Sequence, residues 1–333
     1  VTAVLEAEAP EDRPRKIVGE LDWSDKVFRA TLRTAGLTVL LVTGCIALFL
    51  LLRGWQALRV AKWKFFTTTV WQPDGHHFGI VGLLVGTLLI GAVAMVFAVP
   101  LAFGIALYIS EYAPSWLKRK LVTIVDVAAA VPSIVYGLWG FWFLQEHVYG
   151  VSRWIFTYFG WIPLFHVARA DPHDPLASAT VYSASTFIAG IVVALMVTPV
   201  TSSIMREAFS QAPLGEREGA YALGATRWGM IRAVVLPYGR GGIIGGSMLG
   251  LGRALGETIA VFYIISIVYV LQPNILQAGG VSVSSLIAAT SGSATPFGVA
   301  ALFAAGLALF VMTMGLNFLA AVFISRSRSG SEV

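Results

Sequence analysis

The sequence predicts an all-α membrane protein with six spanning helices, on two observations: its composition and the number and length of its apolar runs. Of the 333 residues, 57% are hydrophobic and only 12% charged, with a mean hydropathy of +0.77, whereas soluble domains carry roughly 25% charged residues. Apolar runs occur at about 34–52, 79–109, 121–145, 180–200, 241–270 and 296–324. Each approaches or exceeds the roughly 20 residues a helix needs to cross about 30 Å of hydrocarbon. A soluble fold is excluded, and one membrane domain over 34–325 is the economical division.

Residues 1–33 form a polar segment in which Glu6, Glu8, Glu11 and Asp12 are followed by Arg13, Arg15 and Lys16. This pattern reads as a tail and not as a signal peptide. A second short tail, 326–333, closes the chain. The second, fifth and sixth runs are long enough to tilt or bend. Pro100 should kink the second run, and Pro132 interrupts the third beside Ser133, whose hydroxyl is placed to satisfy a freed backbone group. Asp126, near the start of the third run, suits an interfacial position.

The 23 Lys and Arg residues sort by side. Sixteen fall in the first tail, the 110–120 loop, the 201–240 loop and the last tail, and six fall between the other spans. The excess marks the first face as cytoplasmic and both termini as inside. The same distribution explains the pI near 9.4 without nucleic acid as a partner. Trp55, Trp63, Trp71, Trp154, Tyr158 and Trp161 crowd the opposite loops and suit an aromatic belt at the lipid headgroups. Cys45 lies alone in an apolar run and forms neither an intrachain disulfide nor a metal cluster. All five histidines fall in predicted outer loops or at a span's end, and no helix-borne His and Glu metal spacing appears, which argues against an intramembrane metalloenzyme.

Between the fourth and fifth runs, the segment Glu218-Gly219-Ala220-Tyr221-Ala222-Leu223-Gly224-Ala225-Thr226 leads to Val234-Val235-Leu236-Pro237. It reads as helix, turn, helix. Small residues at 219, 220, 222, 224 and 225 permit another surface to approach the backbone, Gly224 can supply the turn, and Pro237 is expected to end the second short helix. The segment resembles the EAA signature of ABC importer permeases, E-A-A-x3-G-x9-I-x-L-P. The spacing matches throughout; Gly219 replaces an alanine and Val234 an isoleucine. The resemblance implies the type I importer fold and a coupling helix between helices 4 and 5 that docks into a separate cytoplasmic ATPase, with Glu218, Gly219, Ala220, Gly224, Leu236 and Pro237 as the coupling residues.

The fifth run holds Arg253 and Glu257. On a continuous helix Arg253 lies about 20 Å beyond Arg240, near the bilayer centre, and Glu257 follows on the same face. Charges at that depth cost about 2.5–3.5 kcal/mol on insertion scales and must face the bundle interior or a wet cavity. A guanidinium is always charged and offers a planar fork of donors to an oxyanion. Arg253 is therefore the expected anion contact, with Glu257 its countercharge when the path is empty. Gly242, Gly246 and Gly250 recur every four residues and allow a neighbouring helix to approach closely. Gly250, Gly252 and Gly256 have the wrong spacing for a dinucleotide loop, and no strand precedes them.

Leu251-Gly252-Arg253-Ala254-Leu255-Gly256-Glu257-Thr258 and Val131-Pro132-Ser133-Ile134-Val135-Tyr136-Gly137 are similar to stretches of the phosphate-specific ABC permeases. Ala260-Val261 and Ala301 to Gly306 favour the PstC type over the PstA type. The resemblance covers residues 30 to 325. It implies a bacterial inner-membrane subunit that imports inorganic phosphate within a lipid bilayer, beside a PstA-type chain, two copies of an ATPase and an extracytoplasmic phosphate-binding protein. The chain has no Gly-x4-Gly-Lys-[Ser/Thr] loop, so ATP and magnesium belong to the ATPase partner, and no catalytic residue, cofactor or metal is expected here. A sulfate or molybdate permease, the PstA-type chain and a secondary transporter are the alternatives. The loop signature opposes the last of these, which has no ATPase to dock.

Overall fold

The computed structural model describes residues 22–168, 170–171 and 179–328; most of the first tail, Arg169, His173 and residues 329–333 lie outside it. The chain divides into two compact units, Val1–Phe49 and Leu50–Val333. The helix α1 (Trp23–Ala61) has its start, next to Asp22, in the N-terminal unit and its last residues, from Leu50, in the second. The Asp22 carboxylate accepts from the Trp23 N–H at 2.8 Å and the Ser24 hydroxyl at 2.9 Å, and these bonds hold its pKa below the ordinary carboxylate value. Thr31, Thr34, Thr38 and Thr43 each return their hydroxyl to a carbonyl one turn back. Their polarity is thus satisfied within an otherwise apolar helix. The expected span at 34–52 is shorter than α1, because Lys26, Arg29, Arg33 and Arg53 are good helix formers. Charge marks where lipid ends, not where a helix ends.

The second unit is organised around α2 (Val81–Leu107), α6 (Thr186–Ser210) and α9 (Leu236–Leu255). On α2, Ala94, Ala98, Ala102 and Ala106 recur every four residues and all are fully buried. On α9 the predicted glycine stripe lies against α6. A Cβ at Gly250 would fall 2.5 Å from Thr201 Oγ1, one at Gly246 would fall 3.1 Å from the Thr201 carbonyl, and one at Gly242 would run into Ala208. Small residues at this spacing let two backbones meet where lipid supplies no hydrophobic drive for helix association. Both Pro100 and Pro199 lie inside continuous helices.

Among the described residues, four helices are long and apolar enough to cross a membrane, and a bent helix pair meets the same test only when taken together. That pair corrects the expected third span: α3 (Ser115–Ala130) meets the next helical run, α4 (Ser133–Trp139) with α5 (Gln145–Phe159), at 88°. Pro132 disfavours helical geometry in the residue before it, and Val131 is extended. The hydroxyl that crosses the break is that of Tyr136, donating to the Ala128 carbonyl at 3.0 Å, not that of Ser133. Asp126 is exposed on α3.

The expected loop at 53–78 is also partly ordered. It comprises the end of α1, a turn through Phe66, and a hairpin of β1 (Trp71–Gln72) and β2 (His77–Phe78). The fifth run departs most from expectation. After α7 (Leu214–Ala222) and α8 (Arg227–Met230), a π turn at Ile231–Val235 leads without interruption into α9, which stops at Gly256. A short α10 (Ile259–Ile264) follows, then extended chain, α11 (Val283–Thr290) and α12 (Pro296–Arg328).

Candidate functional site

The cytoplasmic-loop signature folds into a short helix and a tight turn. Pro213 precedes α7, and its C-terminal end is closed by Gly224 at φ +83°. The Ala225 N–H donates to the Ala220 carbonyl at 3.0 Å and the Gly224 N–H to Tyr221 at 2.9 Å. This is a left-handed glycine cap, which a side chain at 224 would strain. Thr226 then caps α8 by accepting from the Gly229 N–H at 3.1 Å. Glu218, Gly219 and Gly224 are exposed, nothing stands within 4 Å of a Cβ built at Gly219, and Leu223 is 91% exposed. Ala220 and Leu236 instead pack inward, against a cluster that includes Phe209, Ile231 and Val235.

Pro237 does not end a helix. It lies in the first turn of α9, directly after the π turn, where the Leu236 N–H reaches back to the Ile231 carbonyl. A widened turn relieves the clash of a proline ring with the preceding turn.

Arg217, which in sequence is one more basic loop residue, ties α7 to the bundle. Its Nη1 lies 3.1 Å from Glu111 Oε2, in the π turn that ends α2, and its Nη2 donates to the Phe209 carbonyl on α6 at 2.6 Å. The two side chains are 18% and 4% exposed. Ser110 donates to the other Glu111 oxygen at 2.6 Å. Sequence reasoning missed this clamp; its one signal was a glutamate directly after a long apolar run.

Arg253 and Glu257 do not share a helix face. Arg253 is in the last turn of α9, Gly256 caps it, and Glu257 follows the break. The Glu257 carboxylate accepts from the Ala260 N–H at 3.2 Å at the start of α10, while its backbone carbonyl accepts from Ser284 at 2.7 Å. Its carboxylate makes no ion pair with Arg253. Arg253 is exposed and lines an open cavity of about 840 Å³ whose walls are largely glycine and apolar residues of α1, α6, α9 and α12, with Thr313 and Asn317 the other polar side chains. Arg253 Nη and Nε are thereby left as donors facing open volume. Among the described residues, no group of three or more His, Cys, Asp or Glu could hold a metal ion.

Apolar helices that present a small-residue loop helix at one place and an unpaired arginine in a cavity at another define a membrane transport component. The family described as binding-protein-dependent transport system inner membrane component matches residues 98–329. The chain belongs to this family, in its PstC-type branch. Phosphate transport system permease protein PstC 2 of Mycobacterium tuberculosis is 40% identical over 297 residues, covering 88% of this chain and 89% of the relative. The PstC protein of Haemophilus influenzae is 35% identical over 308 residues, covering 91% and 94%. Among solved structures, a chain of the bacterial alginate ABC transporter in complex with an alginate pentasaccharide-bound periplasmic protein superposes with a TM-score of 0.55 at 18% identity. It covers 90% of this chain and 96% of that one, and so shares the fold.

Proposed function

We propose that the chain is the PstC-type permease subunit of an ATP-driven inorganic phosphate importer and forms one half of the translocation path. The observation that carries the reading is Arg253, a permanent cation without a carboxylate partner, held at a helix end inside a cavity. Its planar donor fork suits a tetrahedral oxyanion, and relatives matching most of the chain are named as phosphate transport permeases.

In this reading the chain crosses a bacterial inner membrane six times, with α9, the Gly256 break and α10 as the fifth crossing and both termini in the cytoplasm. Its partners are a PstA-type chain, two copies of an ATPase that uses ATP and magnesium, and an extracytoplasmic phosphate-binding protein. The exposed face of α7, with Glu218, Gly219 and Gly224, docks on the ATPase. Ala220 and Leu236 hold that face to the bundle, and Pro237, exposed at the start of α9, belongs to the same coupling segment. Closure of the ATPase displaces α7, and the Arg217 clamp passes the displacement to the ends of α2 and α6. The bundle rocks, and access to Arg253 alternates between the two sides. Glu257, whose carboxylate caps α10 in this structure, is the countercharge of Arg253 in another state of the cycle. Contact with the anion is weak, since an ion held tightly midway could not leave.

The test is ATP-dependent uptake of radiolabelled phosphate by vesicles that contain the whole complex. Arg253→Ala is expected to abolish uptake while the complex still assembles. Normal uptake by that variant would make Arg253 structural and remove the support for an anion path here.

A further inference from the structure

Asn317 stands out on α12. Between Pro296 and Ile324 it is the one side chain that carries an amide or a charge, and it lines the same cavity as Arg253 from the opposite helix. Its Oδ1 and Nδ2 lie 3.5 and 3.7 Å from a Cβ built on Gly252, the residue next to Arg253. The other neutral polar group in that wall, Thr313, has its hydroxyl 3.0 Å from both the Leu309 and Phe310 carbonyls, so its proton is committed to its own helix. Among the described residues, the Asn317 amide has no hydrogen-bond partner. Asn317 is exposed on α12, and an amide at such a position in a transmembrane stretch is costly against lipid unless it faces a wet path or another polar group. Arg253 and Asn317 are therefore the two side chains with free donors in this cavity, on two different helices.

We infer that Asn317 is a substrate-contacting residue that favours a protonated oxyanion over a fully ionised one. This rests on the phosphate reading of the cavity. A guanidinium only donates, whereas an amide both donates and accepts. Near neutral pH, phosphate carries ionised oxygens together with at least one P–OH. With its ionised oxygens on Arg253, it can donate the P–OH to Asn317 Oδ1 and accept from Nδ2. Sulfate has no proton to give, so one amide atom would face it unmatched. One missing hydrogen bond of this kind in a wet site corresponds to about a tenfold preference.

The experiment uses the complete permease–ATPase complex in nanodiscs without the binding protein, so that the path itself is read. Transverse relaxation of the ³¹P signal of inorganic phosphate reports weak binding, and sulfate is titrated as competitor. In the wild-type complex, phosphate is expected to bind about tenfold more tightly than sulfate. Asn317→Leu, which preserves bulk, is expected to weaken phosphate about tenfold, leave sulfate nearly unchanged and so erase the preference. Asn317→Gln, which keeps the amide, is expected to retain it within about threefold. A packing role would give the reverse order, with Leu tolerated and Gln disruptive. Equal loss for both anions, an unchanged preference in Asn317→Leu, or no wild-type preference would overturn the inference. If Arg253→Ala abolishes phosphate binding while Asn317→Leu changes nothing, Asn317 alone is misassigned. If Arg253→Ala also binds normally, the anion path itself is wrong.

Discussion

Replacing Arg217 with methionine removes a charge from the clamp on α7 and leaves its partner in place. Glu111 would keep the Ser110 hydroxyl at 2.6 Å but lose the guanidinium at 3.1 Å while remaining 4% exposed. Leaving one member of a buried ion pair uncompensated costs about 3–5 kcal/mol. Since Arg217 is 18% exposed and so partly screened, the low end applies, about 3 kcal/mol. The lost bond to the Phe209 carbonyl is included in that figure. At 1.4 kcal/mol per factor of ten, the docked position of α7 is weakened about 100-fold. Amide hydrogen exchange over residues 214–222 in the reconstituted complex should accelerate by that factor, and phosphate moved per ATP hydrolysed should fall. Adding Glu111→Gln to Arg217→Met removes the stranded charge and should recover much of the loss, a coupling that a double-mutant cycle measures. Unchanged exchange, or strictly additive effects, would refute the clamp.

Three other substitutions probe the bundle and the break. Gly250→Val would place a branched side chain where even a Cβ falls 2.5 Å from Thr201 Oγ1 and 2.9 Å from Val197; overpacking of this kind costs about 1–3 kcal/mol, seen as a lower thermal midpoint in detergent, whereas Gly245→Val on the open face should change little. Glu257→Gln keeps an oxygen for the Ala260 N–H but loses the charge, so phosphate uptake should fall with the helix break intact; unchanged uptake would reduce Glu257 to a cap for α10.

The apolar runs, the turn at Gly224 and the glycine stripe on α9 were legible because each depends on residues close in sequence. A left-handed turn needs glycine where it occurs, and a four-residue repeat of glycine must face a neighbour wherever that neighbour lies. The break at Gly256 was not legible. Leu251 to Ile265 reads as one apolar run, and the choice between a continuous and a broken helix depends on α11, whose Ser284 takes the Glu257 carbonyl. Arg217 and Glu111 are 106 residues apart, so only folding identifies them as partners. Asn317 passed unremarked because hydropathy averages over a single amide, although a lone polar side chain in such a helix is the more informative signal.

The π turn at Ile231–Val235 has a geometric consequence for everything after it. Such a turn adds one residue to an α-helix, and each residue of helix corresponds to about 100° of rotation. The helical run from Arg227 to Leu255 thus changes phase once, between the part that closes the loop and the part that enters the bundle. Deleting one residue from the turn would leave α8 where it is and swing the whole of α9 about its axis. The glycine stripe would leave α6, and Arg253 would leave the cavity together with it. The angular setting of the loop and that of the membrane face are thereby separately adjustable, and five residues far from Arg253 determine where it points.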